Sequence, residues 1–245
     1  MKTPVHWEPL GCGIEVLVSD AHRFNTDTVL LAYFAAPKPT ERACDLGSGC
    51  GAIPLLWCRK NPPRSVAAVE LQRDACALLR QSVERNGLCG RVRVLEGDLR
   101  EMPKRLGAEC FDLITCNPPY KPLGTGLVNP DEGKRTARHE TSCTLAQILH
   151  TAVRLLRFGG RFCLCQRPER LCDVVSDMRE AGLEPKKLRF VQARAQKEPK
   201  LFLIEGRKGG NPGLTAAPTL LLEDENGGLS MEMKQVYKEY AEVVR

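Results

Sequence analysis

Residues 42–51 read Arg-Ala-Cys-Asp-Leu-Gly-Ser-Gly-Cys-Gly, and this short segment constrains the architecture more than any other. Its first half is largely apolar, which predicts a short buried strand. Its second half places glycine at every other position, and glycine lets a backbone turn tightly and approach a ligand closely. A helical stretch follows at residues 52–59. The segment therefore predicts a strand, a ligand-binding turn and a helix in direct succession.

The same alternation of strand and helix continues along the chain. Apolar runs predict helices at 73–86, 145–156 and 170–181, and further strands at 65–70, 91–95, 111–116, 161–165, 187–191 and 201–205. Such alternation is typical of a parallel sheet with helices on both faces. The last two strands are joined by too few residues for a parallel crossover, so we expect an antiparallel hairpin there. We therefore predict the α/β class, with a Rossmann-like, doubly wound, seven-stranded and mainly parallel sheet that includes an antiparallel C-terminal hairpin strand.

The length of 245 residues suits one α/β domain with small additions. Residues 1–40 are predicted to form an N-terminal hairpin and helix extension. Residues 41–208 are predicted to form the main domain. Residues 209–245 begin as a tail rich in glycine and proline, and its last helix is expected to pack on that domain.

The composition is that of an ordinary globular protein, with 42% hydrophobic and 27% charged residues. No apolar run has the length of a membrane span, and the N-terminus lacks the apolar core of a signal peptide. We therefore expect a cytoplasmic monomer with no membrane partner. The twelve cysteines include no C-x-x-C pair and are accompanied by only four histidines. We expect free thiols that act as small hydrophobic side chains, and no metal.

Three acids stand at the ends of three consecutive predicted strands, namely Asp45, Glu70 and Asp98. Open α/β sheets bind ligands at this edge. The glycines Gly47, Gly49 and Gly51 have the spacing G-x-G-x-G, which is not the G-x-G-x-x-G of dinucleotide enzymes. An acid just before the loop would repel a pyrophosphate and attract an amino group. A ligand with an amino acid, a ribose and an adenine fits all three acids, and that ligand is S-adenosylmethionine.

The fourth predicted strand ends in Asn117-Pro118-Pro119-Tyr120. Proline fixes φ, lacks an N–H and holds the preceding residue in an extended conformation, so this motif predicts a stiff bend. The bend presents an amide, two carbonyls and a flat ring, which suit a planar group that carries an NH₂. Taken alone, the motif fits a proline-rich turn equally well.

Basic residues are unevenly placed in a chain of net charge +6. One group lies within residues 134–138, and a larger one comprises Arg189, Arg194, Lys197, Lys200, Arg207 and Lys208. A basic surface beside a cleft suits a polyanion such as RNA, although each group alone fits a solvated face as well.

Over residues 40–208 these features resemble the class I S-adenosylmethionine-dependent methyltransferases. The resemblance implies that the glycine loop, Glu70 and Asp98 bind the cofactor. The motif at 117–120 is similar to that of amino methyltransferases, whose targets are adenine N6, cytosine N4, guanine N2 or a glutamine amide. It implies that Asn117 borders the cofactor and, with the Pro118 carbonyl, accepts the amine hydrogens, next to Pro119, while Tyr120 stacks on the target.

A more specific resemblance covers nearly the whole chain. The run Ala137-Arg138-His139-Glu140 after the motif, and the segment 23–32, are similar to bacterial tRNA(Val) adenine-N6 methyltransferases, which modify the adenosine beside the anticodon, at position 37. The resemblance implies a tRNA substrate and direct in-line methyl transfer. We expect the substrate-binding residues to include Phe24, Asp27, Arg138, His139, Arg194, Lys197 and Lys200.

Several alternatives share the motif at 117–120. A glutamine-N5 methyltransferase of the release-factor type would differ at residues 23–27 and usually carries a separate helical N-terminal domain. A ribosomal RNA base methyltransferase stays open. A DNA adenine methyltransferase would normally need a target-recognition domain larger than residues 209–245. A non-catalytic RNA-binding module is disfavoured by the intact acids and Asn117.

Overall fold

The computed structural model describes residues 4–118 and 143–241. Its strands are β1 (Val5–Gly11), β2 (Ile14–Ser19), β3 (Arg42–Leu46), β4 (Ser65–Glu70), β5 (Val92–Glu96), β6 (Phe111–Cys116), β7 (Leu156–Gln166), β8 (Leu183–Gln192), β9 (Pro199–Lys208), β10 (Thr215–Ala216) and β11 (Leu220–Leu221). Its α-helices are α1 (Thr26–Ala35), α2 (Ala52–Trp57), α3 (Arg73–Arg85), α4 (Met102–Leu106), α5 (Leu145–Leu155), α6 (Leu171–Glu180) and α7 (Met231–Ala241).

Seven long strands form the main sheet in the order β8-β9-β7-β6-β3-β4-β5. The pairs β3·β4, β3·β6, β4·β5 and β6·β7 are parallel, whereas β9 runs antiparallel to both of its neighbours. The predicted α/β class, the mainly parallel sheet and the antiparallel hairpin are therefore confirmed. The loop between β8 and β9 spans only residues 193–198, which is too short to cross over the sheet.

The sheet is larger at one edge than the sequence predicted. The short strands β10 and β11 both pair in parallel with β8, and thereby cover an edge that would otherwise expose unpaired backbone groups. Strands of two residues are too short to show the alternation that predicts a strand. At the other end of the chain, β1 and β2 form a separate antiparallel hairpin.

Two hydrophobic clusters cover the two faces of the sheet. Successive residues of β3 point to opposite faces, so that Ala43 joins one cluster and Cys44 the other. Helices α1, α2, α3 and α7 contribute to the first cluster, and α4, α5 and α6 to the second. Both faces are apolar because a parallel sheet must be buried on both sides.

All twelve cysteines are free thiols, and seven of them are buried. They include the six that the sequence placed in apolar surroundings, at positions 44, 58, 76, 116, 163 and 165. In the described part of the chain, no helix is both long and apolar enough to cross a bilayer.

A buried ion network ties the sheet to the segment before β3. The Arg161 guanidinium on β7 lies 2.9 Å from the Glu41 carboxylate and 3.0 Å from the Glu205 carboxylate on β9. It also donates to the Ala35 carbonyl at the end of α1, at 3.0 Å. The three charged side chains are 11–15% exposed, so water screens them little. The network therefore joins α1 to the middle of the sheet.

Arg161→Met should lower the free energy of unfolding by about 3 kcal/mol, because it leaves two buried carboxylates without their cation. Lys104→Ala removes an exposed pair with Glu101 and should cost less than about 1 kcal/mol. Urea unfolding of both variants measures the difference. An equal loss of unfolding free energy in the two variants would show that the buried network of Arg161 stabilises the fold no more than an exposed ion pair.

Candidate active site

A cavity of about 340 Å³ opens at the carboxyl ends of the parallel strands. Its walls come from the loops after β3, β4, β5 and β6, together with residues just before α1 and the start of α5. The residues that line it are Ala21, His22, Arg23, Leu46, Gly47, Gly49, Cys50, Val69, Glu70, Leu71, Gln72, Gly97, Asp98, Leu99, Cys116, Asn117, Pro118, Cys143 and Ile148. Four parallel strands thus deliver their ends to one cleft, as open α/β sheets do at ligand sites.

The glycine loop after β3 is anchored to the neighbouring strand. The backbone N–H groups of Gly47 and Ser48 both donate to the Val69 carbonyl, each at 2.9 Å. Gly47 and Gly49 have φ values of +77° and +55°, which favour glycine. A Cβ at either position would meet no atom within 4 Å, so this side of the loop is open to a ligand.

Gly51 has a different environment from the other two glycines. It does not line the cavity, and a Cβ there would lie 2.0 Å from the Leu79 Cδ1 on α3. The absence of a side chain therefore lets the start of α2 pack against α3. The glycine spacing and the family resemblance had grouped Gly51 with the cofactor-binding residues.

Glu70 lies in the cavity wall with its carboxylate already oriented. One oxygen accepts from the Gly49 N–H and the other from the Gln72 N–H, each at 2.8 Å. The residue is 6% exposed. Each carboxylate oxygen can accept a further hydrogen bond, so the group remains able to receive two hydroxyls.

Asp45 lies beneath the glycine loop and is not part of the cavity wall. It is 1% exposed, and the Thr115 hydroxyl on β6 donates to its Oδ1 at 2.7 Å. Burial raises the pKa of Asp45 from 3.8 to about 7, against the opposing effect of the hydrogen bonds from Thr115 and Ser48. Its carboxyl group can therefore gain or lose a proton near neutral pH.

Asp98 lines the cavity at the end of β5 and caps the short turn that follows. Its Oδ1 accepts from the backbone N–H of Arg100 at 2.9 Å, and the Arg100 guanidinium binds the same carboxylate. Hydrogen bonding by Arg100 holds the pKa of Asp98 below its usual value. Asp98 therefore remains ionised and shares its charge with a neighbouring arginine.

The bend after β6 reaches the same cavity through Asn117 and Pro118. The Asn117 amide nitrogen donates to the Thr28 hydroxyl on α1 at 3.2 Å. Its amide oxygen lies 3.1 Å from the Cys165 thiol on β7. Contacts with α1 and β7 thus hold this side chain. Pro119, Tyr120, Arg138 and His139 lie outside the described residues.

The predicted substrate residues of the N-terminal extension have mixed surroundings. Phe24 is partly buried and packs against the first hydrophobic cluster. Asp27 lies in the first turn of α1, where a negative charge complements the helix dipole. Neither lines the cavity, although their neighbours Ala21, His22 and Arg23 do.

The predicted RNA-binding cations lie around the loop between β8 and β9. Since β8 runs parallel to β7, this loop is at the same edge of the sheet as the cavity. Arg194, Lys197 and Lys200 are exposed. Arg194 is paired with Glu223 of the tail at 2.7 Å, so its charge is partly neutralised.

Several residues of the site were not singled out from the sequence. Leu71 is 44% exposed, follows Glu70 directly and offers an apolar surface inside the cavity. The sequence signal that could have identified Leu71 is an apolar residue directly after an acid at the end of a strand. Thr28, Thr115 and Cys165 act through contacts between distant segments, which no local pattern reveals.

A larger groove of about 840 Å³ lies along β5 and the amino ends of β3, β4 and β6. None of the three strand-end acids lines it. Its greater volume therefore does not make it the reaction site, because the convergent polar groups are in the smaller cavity.

The cavity fits S-adenosylmethionine in chemistry as well as position. The open glycine loop and the Glu70 carboxylate suit a close approach by a ribose, and Leu71 suits the face of an adenine. The carboxylates suit a ligand with cationic groups. Within the described residues, no group of three or more His, Cys, Asp or Glu side chains could hold a metal ion.

Comparison with known proteins identifies relatives of the same kind. The family described as methyltransferase small domain matches residues 18–177. A protein of Porphyromonas gingivalis named tRNA1(Val) (adenine(37)-N6)-methyltransferase is 29% identical over 86% of this chain and 86% of its own length. A protein of the same name from Parabacteroides distasonis is 26% identical over 92% of this chain and 90% of its own.

Solved structures share the fold. A crystal structure of a predicted O-methyltransferase from Agrobacterium tumefaciens has a TM-score of 0.70 at 20% identity, and covers 87% of this chain and 96% of that one. The TYW2 protein of Pyrococcus horikoshii, solved in complex with MeSAdo, has a TM-score of 0.58 at 16% identity, with coverage of 85% and 72%. These likenesses establish the Rossmann-like architecture. Because the family match spans well over half of its length, the chain belongs to the methyltransferase small domain family and is a class I methyltransferase that uses S-adenosylmethionine.

Proposed function

We propose that this enzyme methylates the N6 amine of an adenosine in tRNA, at position 37 of tRNA1(Val). The observation that carries the proposal is the convergence of Asn117 and Pro118 with Glu70 and Asp98 on one cavity. The bend that would bind the amine therefore borders the cavity that would hold the cofactor. The names of the relatives point to the same base and the same RNA.

When bound, S-adenosylmethionine would supply a methyl group on a sulfonium, from which a neutral thioether departs without the help of an acid. The nitrogen that gains the methyl group would release one proton to water. The residues at the bend would orient the amine. The Asn117 amide oxygen and the Pro118 carbonyl would each accept a hydrogen bond from the amine. These two bonds would draw the lone pair of the amine nitrogen out of conjugation with the ring. Catalysis by this arrangement is mainly positioning and electrostatic stabilisation.

The residues around the cleft would hold the cofactor by its distinct parts. Glu70 would accept the ribose hydroxyls, since the Gly49 and Gln72 N–H groups already fix its carboxylate. Asp98 would accept a hydrogen bond from the exocyclic amine of the cofactor adenine. Leu71 would pack against the face of the adenine ring. Asp45 would attract the amino group of the methionine portion through the glycine loop.

The RNA would approach from the carboxyl edge of the sheet. Lys197 and Lys200 are exposed at this edge, next to Arg194, and a phosphate backbone is attracted to such a cluster. A base inside a folded anticodon loop must be turned outward to reach Asn117, as in other enzymes that modify bases. The cations would compensate for the cost of that step.

Nucleoside analysis tests the proposed product. The purified enzyme and labelled S-adenosylmethionine should convert adenosine to N6-methyladenosine in an unmodified tRNA1(Val) transcript. A transcript with guanosine at position 37 is the matched control and should remain unlabelled. Label in the control transcript would refute the position, and label in a release factor with none in tRNA would refute the RNA substrate.

Asn117→Ala should reduce turnover by at least about a hundredfold, because the amine loses an acceptor that is aligned for transfer. The affinity for S-adenosylmethionine, measured by calorimetry, should stay near the wild-type value. Asn211→Ala removes an exposed amide at the opposite edge of the sheet and serves as the control. If Asn117→Ala lost cofactor affinity and turnover together, its role would be structural.

The affinity for S-adenosylmethionine should rise by about tenfold or more between about pH 5.5 and about pH 7, because Asp45, with a pKa of about 7, must ionise to attract the ligand's amino group. Calorimetry in two buffers of different ionisation enthalpy should detect proton release on binding.

The raised pKa of Asp45 also makes the free protein less stable as the pH rises from about 4 towards about 7, since the folded state then retains a proton that the unfolded chain releases.

Methylthioadenosine is the matched control ligand, because it lacks the amino acid portion. Its affinity should change little over the same pH range. An equal pH dependence for both ligands would show that Asp45 does not respond to the amino group.

A further inference from the structure

The Thr28 hydroxyl connects two asparagine side chains, one on the helix cap and one at the reaction site. The Asn25 side chain caps α1 and accepts from the Thr28 N–H at 3.1 Å. The Thr28 hydroxyl lies 3.1 Å from the same Asn25 oxygen. It also lies 3.2 Å from the Asn117 amide nitrogen. These contacts form a continuous chain from the start of α1 to the bend after β6.

The direction of each hydrogen bond in this chain is fixed by chemistry. A backbone N–H can only donate, so the Asn25 atom that faces it must be the amide oxygen. That oxygen can only accept, so the Thr28 hydroxyl must give it its single proton. The hydroxyl oxygen can then only accept from its other neighbour. The atom that Asn117 presents to Thr28 must therefore be its NH₂ group.

This polarity fixes the orientation of the Asn117 side-chain amide, because only its NH₂ group can donate to Thr28. With the NH₂ group on Thr28, the amide oxygen points away from α1. It lies beside the Cys165 thiol, which is a weak donor and is compatible with an oxygen at that place. An amide oxygen accepts two hydrogen bonds, so a contact with Cys165 is compatible with a second one from a substrate amine.

We propose that Thr28 is a positioning residue, whose hydroxyl holds the Asn117 amide with its oxygen towards the methyl-transfer site. The inference rests on the proposed amine methylation and adds a residue to it. If the amide were reversed, Asn117 would present an NH₂ group to the amine of the substrate, and two donors would face each other. Asn25 acts one step further away, because it directs the proton of the Thr28 hydroxyl.

Thr28→Val tests the proposal, because valine keeps the shape of threonine and removes the hydroxyl. We expect kcat to fall by about tenfold or more while the KM for the RNA and the affinity for S-adenosylmethionine stay unchanged. Thr28→Ser should restore most of kcat, since serine retains the acceptor. Asn25→Asp should also be tolerated, because a carboxylate accepts from both the N–H and the hydroxyl.

Thr26→Val is the matched control, since it makes the same change two residues earlier in the same helical turn. Its hydroxyl contacts Tyr237, at 3.5 Å, and we expect its kcat to equal that of the wild type. A loss shared by Thr26→Val and Thr28→Val would mean that both variants weaken α1 in general, and would overturn the proposal. So would a wild-type kcat in Thr28→Val, or a Thr28→Ser variant as slow as the valine variant.

A second measurement needs no substrate and separates this inference from the proposed function. In protein labelled with ¹⁵N-asparagine, the side-chain amide signal of Asn117 is assigned by its loss in Asn117→Ala. Thr28→Val should shift that signal, and Thr26→Val should leave it in place. An unshifted signal in Thr28→Val overturns the inference. If the wild-type enzyme methylates a glutamine side chain and not tRNA, the proposed substrate is wrong. The kcat values of the Thr28 variants can then be compared with the glutamine substrate, so the role of Thr28 is still tested.

Discussion

The register of the parallel strands is the constraint on which the site depends. Leu46 at the end of β3 is opposite Val69 on β4 and Cys116 on β6, so these strands finish at the same level. The residues that follow these strand ends therefore lie side by side. This brings Glu70 close to the glycine loop and Asn117 to the opposite wall of the cleft. A shift of one residue in any pair would turn its side chains to the other face of the sheet. The chemistry at this edge is thus a consequence of how the strands pair.

The acids of the site have different electrostatic roles although they occupy equivalent strand ends. Asp98 is bound by Arg100 and remains ionised, whereas burial raises the pKa of Asp45 to about 7, so that its neutral form is populated near neutral pH. The free protein thereby carries less uncompensated negative charge near Glu70. A cationic ligand is the natural partner for such a set, because its charge favours the ionisation that burial opposes.

The sequence predicted those parts of the site that depend on local composition. The strand ends, the alternate glycines and the bend at Asn117 follow from apolar runs and from residues that change backbone geometry, and the structure places them along one edge. Contacts between distant segments were not predictable in this way. Thr28 reaches Asn117 across 89 positions, Gly51 meets Leu79 of the next helix, and Arg194 is partly neutralised by a glutamate of the tail. Each depends on how finished elements pack, which no local pattern records.

The pairing of β10 and β11 with β8 has a consequence for folding during synthesis on the ribosome. Translation proceeds from the N-terminus, so β8 emerges before the segment 215–221 that covers its outer edge. Until that segment is made, β8 can still pair with another nascent chain. The same strand becomes an interior one as soon as the tail folds back. The order of synthesis therefore leaves an interval in which this edge of β8 is open to pairing.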